Sequence, residues 1–261
     1  MATKEKEAQT IEVLQLSRGT ITVHVEGISP LIMNRMTEKA KREFLLPARK
    51  KNRAERETTL KHDPLEEFRA SAHRLSGDGP TLVMFPGVAF KAALRSATAD
   101  MPGATKAAIG RLTYIEQEEI PIYGTPQVFG RIVKQGGISR TPDMRFRAIY
   151  PQWAARFEII FQQPLLNHRV VANLMAAAGE IIGIGDYRTE KGAGSYGRFR
   201  LIDKERFEEV IAVIGARPEQ ENAFQNPEAY DLDTRDLIDW FVTESQARGL
   251  KPKPNGQQVN T

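Results

Sequence analysis

Cysteine is absent from the 261 residues, which excludes both disulfide cross-links and thiolate metal centres. The four histidines, His24, His62, His73 and His168, show none of the close spacing of a metal-ligand set. Neither a metal nor a cofactor is expected. Long apolar runs are missing too: nothing approaches the roughly 20 residues a bilayer span requires. The opening MATKEKEAQT is charged and polar, without the apolar centre of a secretion signal. A cytoplasmic protein with no membrane contact is expected. The phosphate-loop pattern G-x-x-x-x-G-K-[ST] does not occur, and no strand carries the alternating aromatics by which a conventional RRM stacks bases.

What is present is a chain 41% hydrophobic, enough for one sizeable core. The net charge is only +4, but it is unevenly distributed. Residues 35–74 hold twelve Lys/Arg against seven Asp/Glu; residues 203–244 hold twelve acids against four bases, a local −8 that leaves +12 on the rest. Solvated helix faces explain such runs as readily as a polyanion-binding surface does, so the placement of the remaining cations decides between them.

Residues 20–26 alternate Ile21, Val23 and Val25 with polar residues, the period of a half-buried strand. Residues 31–80 break the pattern and read as a basic insertion projecting from the core, with Thr37 capping a short helix. Within it Asp63-Pro64-Leu65-Glu66 signals a helix over 64–75. A second helix opens at Pro86-Gly87, with Phe90, Ala93, Leu94 and Ala97 on one face. Strands are expected at 112–123 and 127–134, then a loop at 138–147, a strand at 153–161 with Ala155, Phe157, Ile159 and Phe161 inward, a helix at 168–182 and a last strand around Phe199. Allowing for an extra strand in the middle, the order is strand, helix, strand, strand, helix, strand: an α+β, ferredoxin-like or RRM-like split βαβ core. The domain boundaries that follow are an N-terminal extension (1–19), a core (20–202) containing the insertion (31–80), an acidic helical extension (203–248) and a disordered tail (249–261).

The segment 183–201, GIGDYRTEKGAGSYGRFRL, has five glycines and four basic residues in nineteen positions. Glycine lets backbone approach a ligand, and neighbouring cations neutralise phosphate. Gly192, Gly194 and Gly197 match G-x-G-x-x-G, yet the match follows a helix and opens a strand, the reverse of a dinucleotide site. A connecting turn is the plain alternative. Lys91 and Arg95 lie one turn apart on a helix flank, where simple solvation would also explain them. In the loop at 138–147, Arg140, Arg145 and Arg147 surround Phe146, a mixture suited to phosphate contact with base stacking. Asp143 and Asp186 each stand alone, so bridges to nearby arginines are expected rather than the convergent carboxylates of two-metal chemistry.

The glycine-rich loop leading into a terminal strand, together with Phe85-Pro86-Gly87-Val88-Ala89-Phe90-Lys91-Ala92-Ala93-Leu94-Arg95 opening the first helix of the core, resembles the RAMP superfamily of CRISPR effector proteins. The likeness is to the backbone subunits that assemble along a guide RNA, and it spans about residues 20–202. The chain also looks like proteins encoded by bacteriophages and prophages, which would make it a stand-alone relative. The resemblance implies a ferredoxin-like or RRM-like core with a thumb-like insertion, matched in position by 31–80. It implies phosphate contacts by Lys91 and Arg95 and by Tyr187, Arg188, Lys191 and Arg198, with Asn34 and Arg35 beside the bound strand. Backbone subunits that cleave RNA carry an acid in the loop after the first strand; here Met33-Asn34 stands there.

The expectation is therefore a non-enzymatic protein that binds single-stranded RNA or DNA and assembles head to tail as a homo-oligomeric filament, with or without other effector-complex subunits. Two alternatives stay open: a phage-type single-strand annealing protein and a metal-dependent ribonuclease.

Overall fold

The computed structural model describes residues 13–36, 41, 45, 62–134, 142–192 and 194–249. In chain order the elements are β1 (Ser17–Gly27), β2 (Leu31–Ile32), α1 (Pro64–Ser71), β3 (Met84–Pro86), α2 (Gly87–Ala97), α3 (Lys106–Leu112), β4 (Thr113–Tyr114), β5 (Glu119–Tyr123), β6 (Gln127–Lys134), β7 (Pro142–Tyr150), β8 (Ala154–Gln163), α4 (His168–Ala177), β9 (Phe199–Ile202), α5 (Lys204–Ile214), α6 (Arg217–Gln225) and α7 (Leu232–Ala247). A π turn, Ala178–Ile182, continues α4, and a 3-10 turn, Thr189–Lys191, lies in the glycine-rich segment.

The central sheet runs β3-β5-β8-β1-β9, with β4 also paired to β8, and its pairings are antiparallel. With β1, β5, β8 and β9 as the four core strands and α2 and α4 as crossovers, chain order is βαββαβ and spatial order 4-1-3-2. That is the split βαβ of the ferredoxin-like fold, so the expected α+β class holds on strand order. The register places Val23 opposite Phe157 and Val25 opposite Ala155, and all four are buried. The apolar stripe of α2 closes over them: Phe90 stacks on Phe157 at 4.5 Å between centroids and approaches Phe199 at 6.1 Å. The opposite face is covered by α5, where Phe207 packs against Ala154 and Tyr123 and meets the His24 ring at 5.1 Å.

A second sheet, β2-β7-β6, grows from the hairpin between β5 and β8. One face carries Val128, Phe146 and Ala148 into the main core; the other carries Ile32, Phe129 and Ile149 beneath Tyr187, Tyr196 and Tyr230. The expected loop at 138–147 is therefore corrected: residues 142–147 belong to β7, because Met144, Phe146, Ala148 and Tyr150 alternate inward.

Four other expectations change. The insertion 31–80 does not project along its whole length. Leu31, Met33, Phe68 and Ala72 are core residues, because β2 pairs with β7 and the Ser71 hydroxyl accepts from Ala148 N–H at 2.7 Å. Asp63 caps α1 as expected, accepting from the N–H groups of Leu65 and Glu66, but the helix ends at Ser71. Beyond it the chain extends to pair Arg74 with Val83. The Thr37 cap lies outside the described residues, as does the tail beyond residue 249. The strand expected at 112–123 is broken into β4 and β5 and is preceded by α3, capped by Thr105. Lastly, the acidic region does not pack wholly outside the core: Phe224 of α6 joins the main cluster and contacts Phe68 at 5.1 Å.

Candidate functional site

Where the first two turns of α2 meet the glycine-rich segment, the surface opens into a cleft of about 300 Å³. Phe85, Ala89, Ala92 and Ala93 form one wall, and Ile182 with the backbone of Gly183, Ile184 and Gly185 forms the other. Asn34 and His73 stand among its polar lining residues, with Asp186, Arg188 and Glu190. The small alanines of α2 leave the space. The 3-10 turn is anchored to α2 by a hydrogen bond between Ser96 and Glu190. Burial alone would raise the Glu190 carboxyl, but the bonds from Ser96 and Arg188 outweigh it and hold it below its usual range. Burial, reinforced by the Arg35 charge, lowers His73, so at neutral pH it presents an uncharged ring to the cleft.

Of the residues expected to bind nucleic acid, Asn34 and Arg188 line this cleft, and exposed Arg35 follows Asn34. Lys191 and Gly192 sit on the exposed 3-10 turn. Lys91 and Arg95 are on the far flank of α2: the Lys91 ammonium lies 5.2 Å from the Tyr114 ring, and the Arg95 guanidinium packs over Gly110 with its Nε buried and unbonded. The structure therefore does not bring these two beside the glycine-rich segment. Arg140 lies outside the described residues. Phe146, placed between the arginines as a stacking ring, is buried in the core and is not available to a base.

Four of the arginines are tied to carboxylates. Arg145 pairs with Asp143 at 3.0 Å, Arg188 with Glu190 at 2.7 Å, Arg147 with Asp186 and Arg198 with Glu180. The bridges anticipated for Asp143 and Asp186 are thus in place. The partly exposed Arg188–Glu190 and Arg198–Glu180 pairs contribute about 0–1 kcal/mol each, whereas Asp143 is buried and is also held by His62. Arg147 is more enclosed and also lies over the Tyr187 ring at 5.5 Å, which makes it a brace between β7 and the glycine-rich segment. Among the described residues no carboxylate pairs with Arg35, Lys91, Arg95 or Lys191.

The glycines do more packing than presenting. A Cβ on Gly194 would strike the Tyr187 carbonyl, and one on Gly197, whose φ is +69°, would strike that of Ile184. Gly192, at φ +68°, has open space around it. The segment is a folded knot with one free corner, reinforced where Tyr187 adopts φ +51°.

His73 at the site, and several long-range contacts elsewhere, carry no local sequence signal. His73 reaches the cleft, and Arg74 lies over the Phe224 ring at 3.7 Å. His62 joins Glu67 at 2.6 Å and Asp143 at 2.9 Å, tying the start of α1 to β7. These contacts join residues far apart in the chain, beyond the reach of spacing rules.

No helix among the described residues is long and apolar enough to cross a membrane. No family model matches the chain, and no curated protein matches it. Among solved structures the chain is similar to the crystal structure of Cmr6 from Pyrococcus furiosus, at 11% identity over 71% of this chain and 98% of that one, with a TM-score of 0.34. At so low a score the fold assignment rests on the 4-1-3-2 strand order and not on this neighbour.

Proposed function

We propose that the protein is a non-catalytic single-stranded nucleic-acid-binding protein that assembles head to tail along RNA or single-stranded DNA. The observation that carries this reading is the cleft between α2 and the glycine-rich segment. Its walls are apolar and small enough to admit a planar base, its ends are polar, and Arg35, Arg188 and Lys191 stand at or near its rim. Such a combination of apolar slot and cationic border suits a strand whose bases are unstacked and whose phosphates need neutralising. The resemblance to RAMP backbone subunits points the same way. The segregation of charge, acidic over 203–244 and basic elsewhere, supports a heterologous contact between copies, which generates a filament when it does not close. RNA, single-stranded DNA and companion effector subunits all remain within this proposal.

The test is a pair of charge substitutions on residues without a described acid partner. Lys191→Ala should weaken binding to single strands of every sequence several-fold while leaving the melting temperature unchanged. Lys91→Glu, on the far flank of α2, should have a smaller effect if the cleft is the binding track. Equal effects from both would indicate a diffuse basic surface instead of a track. Incubation of labelled RNA with the protein and magnesium checks the non-catalytic element: intact RNA is expected, and progressive cleavage would replace the reading with a ribonuclease.

A further inference from the structure

Helix α7 is seated on β6 by one face and leaves an unusual face outward. Thr234, Leu237, Ile238, Phe241 and Ser245 recur at helical spacing and are its less exposed positions. Leu237 and Ile238 pack on the main core, the Thr234 hydroxyl accepts from the Gly130 N–H at 3.1 Å, and Asp231 pairs with Arg131 at 2.6 Å. The same period sets Asp233, Asp236, Trp240 and Glu244 in a stripe away from that seat, with Leu232 and Asp239 beside it. Trp240 is 64% exposed and Leu232 71%, far more than packing within one molecule requires of such side chains. Glu244 is held by Arg248. Among the described residues no cation pairs with Asp233, Asp236 or Asp239, and Arg235 lies on the other flank of the helix from Trp240.

A surface of the opposite kind lies on the flank of α2 away from the cleft. There the Lys91 ammonium stands 5.2 Å from the Tyr114 ring, and the Tyr114 hydroxyl donates to the Arg111 carbonyl at 2.8 Å. Arg95 packs over Gly110, one helical turn from Lys106. Lys106, Arg111 and Tyr114 are exposed. Among the described residues no carboxylate pairs with Lys91, Arg95, Lys106 or Arg111, and Glu116, two residues beyond Tyr114, is taken by Arg18 at 2.9 Å. Within one molecule both sets of charges thus stay unpaired, one on a helix seated on the second sheet and the other on the helices and β4 of the first. We propose that the outer face of α7 docks on the α2–α3 flank of a second copy, with Trp240 set among Lys91, Arg111 and Tyr114 and with Asp233 and Asp236 facing the cations. An indole face attracts ammonium and guanidinium groups, an exposed tryptophan suits the anchor of a protein contact, and opposite potentials bring the two surfaces into register. The two faces differ, so the contact is heterologous and repeats from copy to copy. This deepens the head-to-tail element of the proposed function, on which it rests, and leaves the cleft open to a strand.

The test uses the full-length protein and three variants at exposed positions: Trp240→Ala, the acidic-face double variant Asp233→Lys with Asp236→Lys, and the basic-flank double variant Lys106→Glu with Arg111→Glu. Self-association is read by sedimentation at low salt, with and without a long single-stranded oligonucleotide, and thermal melting confirms that each variant is folded. Wild type should associate, and each variant alone should lose about ten-fold or more in association constant. An equimolar mixture of the two charge variants should recover most of that loss, because each then offers the other an opposite charge at both faces. A disrupted fold cannot give that recovery. Wild type that stays monomeric under both conditions, association unchanged in the variants, or a mixture no better than its components overturns the contact. Anisotropy with an oligonucleotide short enough for one copy reads the cleft separately, and the Asp233, Asp236 variant should bind it as tightly as wild type. Normal short-strand binding with association unaffected by the substitutions sinks the docking proposal alone. The predicted association pattern without short-strand binding sinks the strand reading alone. Loss of short-strand binding in the Lys106, Arg111 variant with association intact overturns the docking proposal by assigning the flank to nucleic acid.

Discussion

Gly197 shows how one residue sets the shape of the candidate site. Its φ of +69° and the adjacent Ile184 carbonyl leave no space for a side chain. Gly197→Ala should cost about 2 kcal/mol or more from backbone strain and overpacking together, read from a denaturant melt, and should loosen the cleft wall. Gly192→Ala meets only the backbone term, with open space around it, and should cost about 1 kcal/mol. Equal losses at the two positions would contradict the distinction between packed and free glycines. His73 gives a pH prediction. Its folded pKa lies below the ordinary histidine value because of burial and then Arg35, so the unfolded chain binds the proton that the folded chain resists. Stability is therefore greatest above the ordinary histidine range and declines as pH falls through it, roughly from pH 7 towards 5. His73→Gln should flatten that decline, leaving a remainder from His24, which burial and Arg156 also lower. A wild-type melting temperature constant across this interval would refute the assignment.

At the scale of elements, α6 joins the C-terminal region to the core through Gln220. This fully buried amide accepts from the N–H groups of Leu82 and Val83 at 2.8 and 3.3 Å and donates to the carbonyls of Ile122 and Gly124 at 2.8 and 2.9 Å. Gln220→Ala strands four backbone groups and should destabilise by about 3 kcal/mol. A chain ending before α5 should fail to give a cooperative melt. The strands of the central sheet were legible because one face is buried and their apolar residues alternate: Val23 and Val25, or Phe157, Ile159 and Phe161, declare themselves. Strand β7 alternates equally well through Met144, Phe146, Ala148 and Tyr150, but the glycines before it and the proline that opens it read as loop and its arginines as ligand contacts. Helix α3 hid behind β-branched and aromatic residues that follow it. The position of Gln220 was not legible at all, since a glutamine on an acidic helix gives no sign of the backbone groups it will meet from residues about a hundred positions away. The cleft was half legible. Its glycine-rich wall and Asn34 stand out in sequence, whereas nothing around His73 signals that it will join them.

Across the whole molecule the charges divide into an acidic C-terminal region and a basic remainder. If copies meet through these regions, self-association should weaken with salt and be promoted by single strands. Sedimentation at two ionic strengths checks this, and a mass unaffected by salt or strand would argue against head-to-tail contact. The central claim, that the cleft and its cationic border receive a single strand, is tested most directly by fluorescence anisotropy with length-matched single-stranded RNA, single-stranded DNA and duplex DNA at two salt concentrations. The account predicts tighter binding to single strands than to duplex, weakened by salt, with more protein bound as the strand lengthens. Absence of salt-sensitive binding to any of the three would contradict it.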